Sequence, residues 1–456
     1  MSFLGIDLGT SFIKGAVLHL ESRQLEHVRR IPFPDPVATG DPLQCEYEPQ
    51  QVVSAVQLLI DELAPHVPDC EGVALCAQMH GMVLVNDRRQ AVSNCLTWRD
   101  QRALLPHPSG SGSYFDAILA RTNPAMRRQL GNELEPPRPI CFLFWFAEQG
   151  RLAQGATPAS LPDYVISGLC GSEIGVEATN ASAYGAFNLE TSDWHHGLIR
   201  ALGLDHLHWP ALRKQGKVAG YLKVGLKSVP CYAPVGDAQA ALAGSLLTAD
   251  ELSLNIATGA QVSRLTHRLQ LGDHQTRPFF DGQFLNTFSY PPAGRELSVM
   301  VGLLSEIATA QNVELPDPWA YIAQATSKTG GADLEVALDF LSAQGGAITG
   351  ARADNLNVGQ LFRSAFRSMA DSYYQCALRL WPEKSWRNLV LSGGLVCRMN
   401  ALRKSIQEKF GSGWRLSPFA EDTLFGLLIL ASVFSGKAAS VAEVSSELRR
   451  KSGQSD

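Results

Sequence analysis

The chain has 456 residues, 45% hydrophobic and 18% charged, a globular composition too long for one hydrophobic core, so two domains with a ligand cleft are expected. A net charge of −5 with scattered Lys and Arg excludes a field that would recruit nucleic acid or anionic lipid, so neither a nucleic-acid nor a membrane partner is expected. Nine cysteines without a CxxC pair read as buried free thiols in a reducing cytoplasm and not as a zinc site, and no leader of basic then apolar residues is expected.

Residues 3–7 read as an apolar strand that meets an acidic residue and then a Gly9–Thr10–Ser11 turn, with 13–20 as its returning partner. Gly9 frees the backbone to turn tightly, the Thr10 and Ser11 hydroxyls suit phosphate oxygens, and Asp7 suits Mg²⁺ through water. An ordinary tight hairpin explains the same residues. Residues 29–34 continue as a β segment, 34–42 form a Pro/Asp/Gly-rich loop, and 52–64 carry a helical period. A short buried strand over 72–76 delivers Gln78, Met79, His80 and Gly81 to its carboxyl end, where open α/β sheets collect ligands.

Residues 104–113 read as a surface loop, and the β-like run 229–235 ends at Gly236–Asp237 with small residues behind it. The polar patch 248–251 marks a domain boundary, giving domains of 1–248 and 249–456. The pattern then restarts: strand 252–256, a Thr-Gly turn at 257–260, and a partner over 261–265, which suggests internal duplication. Residues 388–392 read as a buried strand leading through Gly393–Gly394 into a helix over 395–410. The apolar run 423–435 is too short to span a bilayer and reads as a core helix.

In order along the chain stand DLGTS at 7–11, QMHG at 78–81, TWRDQR at 97–102, PDY at 162–164, GDAQAA at 236–241, NIATGAQ at 255–261 and SGG at 392–394. Together they resemble the FGGY carbohydrate kinases of the actin, hexokinase and Hsp70 ATPase superfamily, most of all the sedoheptulokinase and xylulokinase branches. The resemblance implies an α/β fold of two actin-like (ribonuclease H-like) domains flanking an ATP/sugar cleft, and an ATP- and Mg²⁺-dependent kinase acting on the terminal hydroxyl of a ketose, sedoheptulose first. A xylulokinase, another pentulose or polyol kinase, or a catalytically retired sugar-binding regulator are the alternatives, and a monomer or homodimer is expected.

On this resemblance Asp237 is the catalytic base, because phosphoryl transfer needs positioning, charge stabilisation and one acceptor for the hydroxyl proton; a helix-capping aspartate is the competing reading. Met79, His80, Trp98, Asp100, Arg102 and Gln239 are the sugar wall. Asp7, Gly9, Thr10, Ser11 and Lys14 face phosphate from the first loop, Thr258, Gly259 and Gln261 from the second, and Gly393, Gly394 and Asn400 flank adenosine. Asp7 and Asp237 are the metal carboxylates. Thr258–Gly259–Ala260 departs from the hydroxyl-rich second loop of many relatives, and 104–121 looks shortened.

Overall fold

The computed structural model describes residues 1–110, 112–328, 334–342 and 345–451. It divides into two compact units that are not contiguous in sequence: Met1–Leu246, Thr266–Leu285 and Phe419–Asp456 make the first, Leu247–Leu265 and Asn286–Pro418 the second. The first crossing falls beside the expected boundary near 248, but 266–285 and 419–456 belong to the first unit, which a single cut at 248 does not describe.

In the first unit, β1 (Ser2–Leu8) turns at Gly9–Ser11 into antiparallel β2 (Phe12–His19), and β3 (Gln24–Pro32) follows, starting earlier than the expected residue 29. The other members of the sheet are β4 (Cys70–Ala77), β5 (Val218–Val224), β6 (Lys227–Tyr232) and β7 (Val235–Gly236). Their order is β5-β6-β4-β1-β2-β3, with β7 also on β4. β1 and β4 are parallel and nearly every residue in them is buried, which is why both read as continuous apolar runs and not as alternating ones.

Two helices show how the sheet is covered. Pro49–Leu63 starts with proline in its first turn and a Glu48 cap, and buries Val52, Val53, Val56, Leu59, Ile60 and Leu63 at helical spacing. Asp422–Phe434 packs against β1, β4 and the helix Asp237–Gly244. Its Leu424–Ser432 stretch is wholly buried, the core helix that the apolar run implied. A Cβ on Gly244 would lie 1.8 Å from the Asp422 carbonyl oxygen and one on Gly426 1.9 Å from that of Ala240. The small residues after Asp237 therefore let two helix backbones touch.

The second unit repeats the opening arrangement. β8 (Glu251–Ile256) turns at residues 257–259 into antiparallel β9 (Ala260–Thr266), and β8 lies parallel to β10 (Asn388–Ser392), which is parallel to β11 (Gly413–Leu416). Val358–Leu380 supplies much of this core, including Phe362, Phe366, Met369 and Tyr373. The helix expected over 395–410 is two helices, Gly394–Arg398 and Asn400–Phe410, broken where Met399 turns extended with its side chain fully buried.

Candidate active site

β1, β4 and β7 run parallel, and their register decides what meets at their carboxyl ends. Asp7 on β1 and Val235 on β7 both pair with Cys76 on the strand between them. The chain leaves β7 at Gly236, the cap of the helix Asp237–Gly244, so Asp237 is that helix's first residue and not its cap. Two carboxylates 230 positions apart in sequence thereby share one corner of the sheet.

The first carboxylate makes the second harder to ionise. Asp7 is 6% exposed, and burial lifts its pKa to about 6, with Lys14 as the main opposing charge. Asp237 rises to about 7, first through burial and then through the Asp7 charge, against the pull of the Ala238 N–H that donates to it at 2.7 Å and of Arg277. The Cys76 thiol, 3.7 Å from Asp7 Oδ1, is driven well above its ordinary value by burial and by both carboxylates. Such a pair fits magnesium, which takes one or two carboxylates and completes its shell with water and substrate phosphates. Among the described residues no group of three or more His, Cys, Asp or Glu side chains converges as a protein-only cage would require.

The first turn is held from inside. The Thr10 hydroxyl donates to Gln78 Oε1 at 3.2 Å and accepts from Trp98 Nε1 at 2.9 Å, while Gln78 Nε2 donates to the Gly9 carbonyl at 3.4 Å. A Cβ at Gly9 would come within 2.9 Å of the Phe12 carbonyl oxygen, so the turn needs glycine. Ser11 is exposed, and Lys14, opposite Asp7 in the hairpin, gives its ammonium to Glu421 at 2.6 Å. Trp98, placed on the sugar wall from sequence, thus stands against this loop with 41% of its surface open.

Met79 and His80 follow β4, and Met79 meets Gly236 where Gln239 also stands. A Cβ on Gly236 would lie 2.4 Å from Gln239 Oε1 and 3.3 Å from Met79 Sδ. Gln239 is fully buried, donates through Nε2 to the Pro278 carbonyl at 3.3 Å, and leaves Oε1 without a hydrogen-bond partner. His80 sits at φ 72°, with Nε2 3.7 Å from Glu133 Oε2 and likewise unsatisfied. Burial and then the Arg138 charge push its pKa to about 3, so the imidazole is neutral at physiological pH. A buried polar atom without a protein partner is able to bond a ligand hydroxyl.

Sequence reasoning missed the charges behind this wall. Glu133 accepts from Arg277 Nε at 2.6 Å and from Arg138 Nη2 at 3.2 Å, which holds its carboxyl far below the ordinary range despite burial. Conversely, Asp100 and Arg102 do not join the wall. Both are 0% exposed; Asp100 accepts from Arg102 Nε and Nη2 at 2.8 Å each and from the Cys45 N–H at 2.8 Å, and Arg102 also reaches Glu46. These bonds, made through Arg102 Nε and Nη2 while Nη1 has no hydrogen-bond partner, tie the 97–102 loop to residues 45–46.

In the second unit, Thr258 and Gly394 line one cavity of about 420 Å³ with Ala257, Ser298, Trp319 and Arg398 among the other walls. The loop is fixed by the start of the helix Gly294–Ala310, whose Gly294 and Arg295 N–H groups donate to the Ala257 and Thr258 carbonyls at 3.1 and 3.0 Å. Gly393 is at φ 95°, and a Cβ there would lie 2.4 Å from the Ile256 carbonyl oxygen, so only glycine lets β10 turn so close to β8. Gly259 and Gln261 lie outside the cavity lining, with Gln261 paired to Asn255 in the hairpin; Asn400 is exposed at the start of its helix and its neighbour Met399 faces the cavity instead. Trp319, Ser298 and Arg398 carried no sequence signal, since a lone Trp and a solvated Arg look alike in any helical segment.

Comparison with known proteins adds four findings. Residues 2–244 match the FGGY family of carbohydrate kinases, N-terminal domain, more than half of the chain. Sedoheptulokinase of Mus musculus is 22% identical over 89% of this chain and 92% of its own length. The fold superposes on ligand-bound xylulose kinase from Lactobacillus acidophilus with a TM-score of 0.82 at 18% identity, covering 97% of this chain and 91% of that one. Xylulose kinase from Rhodospirillum rubrum gives 0.84 at 16% identity over 98% and 92%.

Proposed function

Because the chain belongs to the FGGY family of carbohydrate kinases and is a phosphotransferase, we propose that it transfers the γ-phosphoryl group of ATP to the terminal primary hydroxyl of a ketose, with sedoheptulose as the preferred sugar. The observation that carries this reading is Asp237, raised to about 7 beside Asp7, at the corner where Met79 and the buried Gln239 meet Gly236. A carboxylate with a pKa near the working pH is a stronger base than an ordinary one and is still ionised in about half of the molecules.

In this reading Met79 packs on the C–H face of the sugar, while neutral His80 and the Gln239 carbonyl bond its hydroxyls. Asp237 takes the proton of the terminal hydroxyl as that oxygen attacks the γ-phosphorus and the bond to the ADP oxygen breaks. In the first unit Gly9, Thr10 and Ser11 offer a turn for phosphate oxygens; in the second, Thr258 does so at the rim of the 420 Å³ cavity that receives adenosine against Trp319 beside Gly394. Mg²⁺ would be held by Asp7 and Asp237, and when bound it supplies positive charge to the phosphate oxygens. Trp98 stands where the sugar and the first phosphate loop adjoin.

Support for a seven-carbon ketose is the match to the mouse sedoheptulokinase along most of both chains; the structural likeness to xylulose kinases keeps a pentulose as the second reading. ATP consumption measured against sedoheptulose, xylulose, ribulose, gluconate and glycerol separates them. Highest kcat/KM on sedoheptulose is expected. A clear preference for xylulose would replace the sugar assignment, and turnover of gluconate or glycerol without any ketose would overturn the ketose reading.

A further inference from the structure

The backbone that carries Asp237 is tied down by a side-chain chain from an element with no part in the mechanism above. A short strand, Gly175–Glu177, runs beside Ala211–Arg213 and ends in the helix Ala178–Ser182. Glu177 caps that helix: its Oε2 accepts from the Thr179 N–H at 2.8 Å and from the Thr179 hydroxyl. With its proton committed to Glu177, the Thr179 oxygen can only accept, and it takes the Gly236 N–H at 2.9 Å. One residue along, Asn180 Nδ2 donates to the Pro234 carbonyl at 2.9 Å. Glu177, Thr179 and Asn180 are all buried.

Gly236 is the residue before Asp237, and its peptide sets the direction in which the carboxylate leaves the sheet. We propose that Thr179 is a positioning residue for phosphoryl transfer: aimed by Glu177, its hydroxyl fixes the Gly236 peptide and so the facing of Asp237, with Asn180 holding Pro234 two residues earlier. The inference rests on Asp237 being the base. β7 is only two residues long, so its few ladder bonds hold this corner weakly, and two buried side-chain ties supply the missing restraint. A displacement of about 1 Å in a reacting group costs about 100-fold in rate, which is the scale on which losing such a tie acts.

The test uses the full chain with Thr179→Val, Thr179→Ser, Asp237→Asn and the Thr179→Val/Asp237→Asn double variant, measuring kcat and both KM values with ATP and the best ketose of the panel. Thr179→Val removes the acceptor at constant shape; kcat should fall about 10- to 100-fold with both KM values within about twofold. Thr179→Ser keeps the hydroxyl and should stay near the parent. The double variant should be no slower than Asp237→Asn alone, since positioning a base that is absent has no effect. Parent-like kcat in Thr179→Val, while Asp237→Asn is slow, overturns the positioning role and leaves the base intact. An equal further loss in the double variant overturns it too, because the hydroxyl would then act through packing. Fast Asp237→Asn overturns the base reading itself, and the inference with it. Should Thr179→Val not fold, Thr179→Cys replaces it, its thiol being a poor acceptor: the same fall is expected, and parent-like kcat overturns the proposal.

Discussion

Asp7 and Asp237 cost stability at the corner of the sheet proposed for the chemistry. A carboxylate whose folded pKa lies above its unfolded one adds no penalty below the unfolded value and the full penalty above the folded value. For this pair the penalty grows from about pH 4, complete near pH 6 for Asp7 and near 7 for Asp237. Asp237→Asn should therefore lower turnover about 10²- to 10⁴-fold while raising the melting temperature at pH 8, the gain vanishing toward pH 4. Thermal melts across that range, beside kinetic assays, check both halves; a variant less stable than the parent at pH 8 would mean that the two carboxylates are not in conflict. At this scale the sequence was readable where chemistry is local. A strand, an aspartate and a Gly-Thr turn announce Asp7, and Gly-Asp before small residues announces Asp237. Glu133 and Arg277 were invisible because their bond joins positions 144 apart, and each alone looks like a solvated charge. Asp100 and Arg102 misled for the opposite reason, since two residues that bond each other look, in sequence, like two residues free to bond a sugar.

Helices show a similar division between what a run of residues says and what its partner decides. The apolar stretch 423–435 announced a buried helix, and the helical period over 52–64 announced most of Pro49–Leu63. Nothing in the chain tells that Asp422–Phe434 meets Asp237–Gly244 through Gly426 and Gly244, nor that burying Met399 breaks the helix after Gly394. The close approach has a measurable consequence. A methyl at 426 would sit 1.9 Å from the Ala240 carbonyl oxygen, backbone that cannot swing aside as a side-chain tip can. Gly426→Ala should push the two helices apart and destabilise the protein by about 1–3 kcal/mol, the cost of overpacking a tight interior. Because Ala240 belongs to the helix that Asp237 begins, kcat should fall as well, with little change in either KM. Denaturant titration and steady-state kinetics together check this; an unchanged midpoint would show that the helices separate freely.

For the molecule as a whole, the order of segments departs from a simple pair of halves. The sequence marks the restart of the pattern at 252, because a second strand and Thr-Gly turn are local signals. It does not mark the return of 266–285 and 419–456 to the first unit, because a chain reports its own periodicity and not which sheet a distant helix will cover. That return predicts how the protein can be cut. A fragment of residues 1–248 keeps every strand of the first sheet but loses Asp422–Phe434, whose buried Leu424, Phe425, Leu427, Leu428 and Leu430 pack under β1, β4 and Asp237–Gly244. It also loses Arg277, one of the two cations that hold buried Glu133. Five large apolar side chains at about 1.5–3 kcal/mol each are together as large as the whole margin of about 5–15 kcal/mol within which domains fold, and an under-paired buried carboxylate adds to the loss. Residues 1–248 alone should accordingly be insoluble or melt without a cooperative transition, while the same fragment fused through a flexible linker to residues 419–451 should recover part of its helical signal and its solubility. Circular dichroism melts of the two fragments decide the matter: a sharp, cooperative transition for 1–248 alone would mean that the returning segments decorate the first unit and do not complete its core.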